Sequence, residues 1–193
     1  MTASPLLVLE RAVQLHALLD QEGIDHAIGG ALALAYHVAE ARATRDIDLN
    51  IQLAPAAALD LLRILPVDVS WGSREVAAIK RDGQVRLLWP HPDGDLPIPL
   101  DLFFADSDFH EVVHGRAVRV AMLADVVPIL SATDLLVFKA LYDRRKDWAD
   151  IEELLRHGSP DVEDAREWIE RFVGVGDPRV QTLDAMIAEL REG

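Results

Sequence analysis

Two aspartates near the middle of the N-terminal half share an orientation that suits a metal ion. Asp46 and Asp48 alternate with Ile47 and Leu49 within residues 44–51, which is typical of a strand with one face in a core. The two carboxylates therefore point the same way and repel each other. A divalent cation between them would offset that repulsion, and Mg²⁺ prefers oxygen ligands. The same pattern also fits a solvent-exposed strand face. The flanking sequence is therefore needed to distinguish a metal site from a solvated face.

A glycine pair lies upstream of this strand. Residues 24–28 indicate a short strand, Gly29 and Gly30 follow it, and the alanine-rich residues 31–41 predict a helix. This order directs backbone N–H groups and a helix N-terminus at an anion, often a phosphate. It also fits a tight turn that packs a helix closely against a strand.

A third carboxylate stands in an apolar segment downstream. Asp101 lies between Leu100 and Leu102 in a predicted strand over residues 98–105, whose composition suits burial. An unpartnered carboxylate is costly to bury. We therefore expect Asp101 to be ion-paired, hydrogen-bonded or a further metal ligand.

The remaining elements divide the chain into two parts. Helices are predicted over residues 5–21, 56–65 and 108–114, a strand over 67–71, a hairpin over 75–88 with a turn at Asp82-Gly83, and an edge strand over 117–121. From Ser131 onward every pattern is helical. We predict an α+β fold, with a mixed α/β domain over residues 1–128 and a helical subdomain over residues 129–193.

Composition limits the possible functions. The 193 residues contain no cysteine, which excludes disulfides, zinc–thiolate sites and cysteine nucleophiles. The formal net charge of -14 repels nucleic acid unless a local basic patch exists. No segment is apolar over a sufficient length for a signal sequence or a membrane span, so we expect a soluble, cytoplasmic protein.

The segment His110-Glu111-Val112-Val113-His114 matches H-E-x-x-H, a zinc-binding motif of metalloproteases. Gly115 ends the predicted helix at once, and no H-x-x-G-x-x-H continuation follows. Two half-exposed histidines on a short surface helix are the alternative, and it is the one the spacing favours.

A lysine in the C-terminal part is a further candidate. Lys139 lies in an apolar helix, and lysine is rarely buried without a partner. Residues 144–146 form a basic cluster, and Asp147 and Asp150 open the next helix, where acidic residues favour the helix dipole. Taken alone, this segment indicates a helix start beside an exposed basic turn.

In combination these motifs resemble the nucleotidyltransferase superfamily related to DNA polymerase beta. The glycine pair, the Asp-x-Asp strand and the later strand with Asp101 occur in that family's order. Residues 127–151, with Lys139 and the Lys-Asp-x-x-Asp segment, resemble the branch that contains the abortive-infection toxin nucleotidyltransferases. The resemblance covers residues 24–157. It implies a short mixed sheet flanked by helices and followed by a helical subdomain.

The resemblance also implies an activity and a site. The activity is transfer of an NMP from an NTP to a hydroxyl of RNA, a protein or a cationic small molecule, with a toxin role and an antitoxin partner as possibilities. The implied ligands of Mg²⁺ or Mn²⁺, which together with Lys139 are the implied catalytic residues, are Asp46, Asp48 and Asp101. The implied nucleotide-binding residues are Gly29, Gly30, Arg45, Lys139 and Asp147.

The chain departs from the family pattern directly after the glycine pair. Many active members have Ser or Thr there, whereas Ala31-Leu32-Ala33 offers no hydroxyl to a phosphate. Backbone N–H groups are the remaining donors. A catalytically inert module that works through a partner is therefore the alternative to an enzyme.

Overall fold

A mixed β-sheet carries most of the residues identified above. In the computed structural model, which describes residues 5–39 and 43–192, the strands are β1 (His26–Ile28), β2 (Ile47–Ile51), β3 (Gln84–Trp89), β4 (Ile98–Phe104), β5 (Val118–Met122) and β6 (Asp125–Ile129). They form one sheet in the order β3-β4-β2-β1-β6-β5. The pairs β2/β4 and β1/β6 are parallel, and the other neighbours are antiparallel. The predicted α+β fold with a short mixed sheet is confirmed.

The helices of the described chain are α1 (Pro5–Gln21), α2 (Gly30–His37), α3 (Ala58–Leu62), α4 (Ser73–Asp82), α5 (Asp108–Gly115), α6 (Ala132–Tyr142), α7 (Arg145–Glu153), α8 (Val162–Val173) and α9 (Pro178–Glu192). A 3-10 turn at Pro55–Ala57 precedes α3, and a π-helical turn at Leu154–Gly158 extends α7. The helix predicted over residues 31–41 begins at Gly30, and positions 40 and 41 lie outside the described residues.

Contacts between Cα atoms divide the chain into two compact units. The N-terminal unit holds the described residues up to Leu32 together with Ala43–Ile129, and the C-terminal unit holds the described residues of 33–42 together with those from Leu130 onward. The sheet belongs to the first unit and α6 to α9 belong to the second. The helix α2 begins in the first unit and ends in the second.

Apolar alternation on two parallel strands builds the core of the N-terminal unit. Ile47, Leu49 and Ile51 on β2 are buried, as are Leu100 and Leu102 on β4. Because these strands are paired in register, their apolar side chains share one face of the sheet. The residues between them consequently project from the other face, which is where the aspartates lie.

The sequence-based hairpin over residues 75–88 is wrong in its first half. Residues 73–82 form α4, whose start is capped by the Gly72 amide donating to Glu75 Oε2 at 2.9 Å, and whose one fully buried side chain is Ile79. Gly83 then ends the helix in the left-handed conformation. Residues 67–71 are not a strand either. The helix is favoured because its internal hydrogen bonds and its N-terminal cap satisfy the backbone without a partner strand. Its polar residues can face solvent while Ile79 is buried.

A histidine pair joins α1 to β1. His26 Nδ1 donates to the Ile24 carbonyl at 2.8 Å, so its Nε2 accepts from His16 Nδ1 at 2.9 Å when both rings are neutral. Burial lowers the pKa of His26 below its ordinary value of 6.5, His16 lowers it further, and the Ile24 carbonyl, Asp20 and Asp25 oppose the shift.

Acidification should therefore weaken the folded state through His26. A lowered folded-state pKa means that the stabilisation is complete above pH 6.5 and is lost as pH falls through the folded-state value. We expect the free energy of unfolding, measured by urea denaturation, to be smaller at about pH 5.5 than at about pH 8. The difference should shrink in His26→Asn. An equal pH dependence in this variant and the wild type would contradict the assignment.

Within the residues that the structure describes, no helix combines the length and apolar character needed to cross a bilayer.

Candidate active site

Three aspartates lie on one face of the sheet. Asp48 on β2 and Asp101 on β4 are register partners in a parallel pair, so their side chains point the same way. Asp46 lies directly before β2, and its carboxylate is on the same side of the sheet, because Asp46 Oδ2 lies 3.9 Å from the Arg86 Nη2 that also contacts Asp101. The arrangement expected from alternation is thus present, because β4 pairs directly with β2 rather than with a more distant strand.

The glycine pair lies beside Asp48. We call the glycine pair and the three aspartates together the aspartate row. Gly29 N donates to the Asp48 carbonyl at 2.8 Å, and Gly30 opens α2 with a φ of 58°. A Cβ placed on Gly30 would collide with the carboxylate of Asp48. Gly30 is therefore required twice, once for its left-handed backbone and once for the space that the Asp48 carboxylate occupies.

Gly30→Ala tests this packing against a matched control. Gly23 has a similar φ of 65°, but no atom lies within 4 Å of an added Cβ. Gly23→Ala should therefore show only the backbone strain of about 1–2 kcal/mol. Gly30→Ala should lose more free energy of unfolding than the control and should bind Mn²⁺ more weakly, because Asp48 must move. Equal losses in the two variants would show that the carboxylate moves away freely.

An arginine completes the row at its other end. Arg86 on β3 stands opposite Asp101, and its Nε and Nη2 donate to the two carboxylate oxygens at 2.7 and 2.6 Å. Its Nη2 also lies 3.9 Å from Asp46 Oδ2. The hydrogen bonds with Asp101 raise the pKa of Arg86 above its already high ordinary value. Asp101 is thus ion-paired, one of the three states that its burial required.

Sequence reasoning missed this role of Arg86. The predicted hairpin paired residues 84–88 with residues 75–81, which concealed the pairing of β3 with β4. The available signal was the alternation of Arg86 with the buried Leu87 and Trp89, which identifies a half-buried strand but not its neighbour.

The donor set fits a hard divalent cation, and a stand-in cation already occupies part of it. Asp46, Asp48 and Asp101 supply only oxygen ligands, which suit Mg²⁺ or Mn²⁺. The guanidinium of Arg86 provides a positive charge at Asp101 and near Asp46. Among the described residues, no group of three or more His, Cys, Asp or Glu side chains is gathered as metal ligands. The aspartates therefore share a face and a charge partner, but in this conformation they do not converge.

The two candidate residues in the C-terminal unit have local partners. Lys139 Nζ donates to Asp150 Oδ2 at 2.6 Å, and both side chains are almost fully buried. The Asp147 carboxylate accepts from Arg144 Nε at 2.5 Å. A nucleotide-binding role for Asp147 stays a prediction. A phosphate-binding role for Lys139 stays a prediction.

The remaining predicted residues are Arg45 and the two histidines of the H-E-x-x-H segment. Arg45 is exposed directly before Asp46. In the H-E-x-x-H segment, His110 Nδ1 lies 3.0 Å from Ser107 Oγ, whereas His114 Nε2 lies 3.3 Å from Asp25 Oδ2. Burial lowers the pKa of His110. Because the two imidazoles have separate partners, this geometry gives the zinc interpretation no support.

Two solved structures share this fold. The chain resembles an antigenic nucleotidyltransferase-like protein from Paracoccidioides brasiliensis at 20% identity and a TM-score of 0.52, over 97% of this chain and 87% of that one. It also resembles a candidate nucleotidyltransferase from H. pylori at 13% identity and a TM-score of 0.51, over 98% of this chain and 96% of that one.

The chain shares the fold of these two nucleotidyltransferase-like proteins, and the fold that the sequence motifs predicted is confirmed. The chain matches no family model and no curated protein.

Proposed function

We propose that this protein is a metal-dependent nucleotidyltransferase, which transfers an NMP from an NTP to a hydroxyl acceptor and releases pyrophosphate. The observation that carries the proposal is the placement of Asp48 and Asp101 as register partners beside a glycine turn that leaves no space for a Cβ. Like charges directly opposite each other destabilise a sheet, so a cation beside this pair stabilises it, and a divalent cation would do so more strongly than the guanidinium of Arg86.

Each part of the row has a role in this reaction. Asp46, Asp48 and Asp101 would hold Mg²⁺ or Mn²⁺, and the ion would lower the pKa of the acceptor hydroxyl and neutralise phosphate charge. The turn at Gly29 and Gly30 brings the start of α2 to Asp48. Because the Gly29 N–H already donates to the Asp48 carbonyl, the backbone N–H groups of the first turn of α2 are the donors that we propose for the phosphates. These amides substitute for the side-chain hydroxyl that Ala31 lacks.

The charge distribution favours a cationic acceptor over RNA. The net charge of -14 attracts cations. Two of the basic residues available for an RNA patch are already paired, Arg86 with Asp101 and Arg81 with Asp82. We therefore propose a positively charged small molecule with a free hydroxyl, such as an aminoglycoside, as the acceptor class.

Labelled NTPs test the reaction and the acceptor separately. Each α-labelled NTP is incubated with the protein and Mg²⁺, and with aminoglycosides, total RNA or cell lysate in parallel reactions. We expect label on a cationic small molecule. Label on RNA or on a protein would overturn the acceptor class but retain the transferase.

A catalytically inert module is the second candidate. It is favoured by the engagement of both Asp101 oxygens with Arg86 and by the absence of a hydroxyl after Gly30. Such a module would act through a partner, for which an antitoxin is one candidate. Absence of label from every acceptor, with the NTP and Mg²⁺ still bound, would support this function instead.

A further inference from the structure

Arg86 contacts the carboxylates of the aspartate row unevenly. Its guanidinium lies against two of the three carboxylates, those of Asp101 and Asp46. Arg86 forms its two short hydrogen bonds with Asp101 alone and approaches Asp46 only at 3.9 Å. Asp101 therefore has no oxygen without a guanidinium contact, although it is the carboxylate directly beside Asp48.

We propose that Arg86 is an exchangeable counter-cation of this site. In the metal-free protein its guanidinium neutralises Asp101, and a divalent cation binds only after Arg86 has released that carboxylate. Metal and guanidinium thus compete for the same oxygens. This inference rests on the proposed function, because it assumes that the three aspartates bind a metal.

The two ends of the ion pair differ in exposure, which permits the exchange. The side chain of Arg86 is 57% exposed, whereas that of Asp101 is 13% exposed. The guanidinium can rotate into solvent and remain hydrated there. Asp101 has no such freedom, so after the release it needs another cation beside it. Because arginine keeps its charge at any ordinary pH, the exchange proceeds by movement and not by loss of a proton.

A second ion pair of this chain shows the contrasting case. In the C-terminal unit, the side chains of Lys139 and Asp150 are 5% and 6% exposed. Neither partner can reach water without unfolding its surroundings, so this ion pair cannot exchange one of its partners for another ion. The exposure of Arg86 is what distinguishes an exchangeable pair from a structural one.

Mn²⁺ titration without nucleotide tests the competition. We expect Arg86→Gln to bind Mn²⁺ about tenfold more tightly than the wild type, because a charged hydrogen-bond pair no longer competes. Arg86→Lys should fall between them, since lysine keeps the charge but lacks the two-pronged geometry. Arg81→Gln is the matched control, because it removes an exposed arginine that pairs only with Asp82, and it should bind like the wild type.

The tighter Mn²⁺ binding expected of Arg86→Gln should depend on Asp101. In an Asp101→Asn background, Arg86→Gln should no longer tighten Mn²⁺ binding, which a purely structural role of Arg86 would not predict. If Arg86→Gln does not fold, the Mn²⁺-induced rise in melting temperature of Arg86→Lys replaces it, and this rise should exceed that of the wild type.

The outcomes separate this inference from the proposed function. Equal or weaker binding by Arg86→Gln, with binding abolished by Asp48→Ala, would overturn the exchange and leave the metal site intact. Tight binding by Arg86→Gln alone, with no binding by the wild type, would support Arg86 as the occupant and favour the inert module. No binding by any variant would overturn both the exchange and the metal site, while the labelled-NTP assay tests transfer independently.

Discussion

Replacing Asp48 by asparagine should reduce the proposed nucleotidyl transfer at least about a thousandfold while leaving the protein folded. Asp48 lies between Asp101 and the Gly29–Gly30 turn, so it is the central carboxylate of the row. Asparagine keeps its shape and removes its charge, and with it the strongest ligand type for Mg²⁺. The rate is measured with labelled NTP at saturating Mg²⁺.

The same substitution should change stability little in the absence of metal. Removing one of two like charges in register relieves a repulsion, which offsets the lost attraction between Asp48 and Arg86, so the melting temperature should stay close to that of the wild type. Asp60→Asn is the control, because this aspartate is well exposed on α3 and makes only a 4.0 Å contact with Arg63. A transfer rate within about tenfold of the wild type would remove Asp48 from the catalytic machinery.

Replacing Lys139 by alanine should lower the free energy of unfolding by about 3–5 kcal/mol, the range for breaking a buried ion pair. The change leaves the Asp150 carboxylate almost fully buried without the ammonium that donates to it at 2.6 Å. Because a domain of this size has a total stability of about 5–15 kcal/mol, the variant should be close to unfolding at physiological temperature. Urea denaturation followed by circular dichroism measures the loss.

A double variant distinguishes the structural role of Lys139 from its predicted role at the phosphates. Lys139→Met with Asp150→Leu removes both charges and fills similar volume, so it should be markedly more stable than Lys139→Ala. A double variant as unstable as the single one would contradict the ion-pair explanation. An unchanged KM for the NTP in the double variant would confine Lys139 to the packing of the C-terminal unit, whereas a raised KM would support phosphate contact.

Local periodicity was sufficient to predict much of this protein. Alternation of apolar and acidic residues determined that Asp46 and Asp48 share a face of a strand, because successive side chains point to opposite sides of any extended segment. The apolar run around Asp101 determined a buried strand, and the cost of burying a carboxylate determined that it has a partner. The order of these motifs along the chain was enough to predict the fold that the chain shares with the solved nucleotidyltransferase-like structures.

Only the tertiary structure decided which partner each charged side chain has. Asp101 pairs with Arg86, and Lys139 pairs with Asp150, through contacts between different elements. Residues 73–82 form a helix and not a strand, so β3 pairs with β4, and this pairing places Arg86 opposite Asp101. Periodicity specifies the face on which a residue lies, but not the neighbouring strand or helix. That choice depends on strand order and register, which are set by long-range packing of the whole sheet.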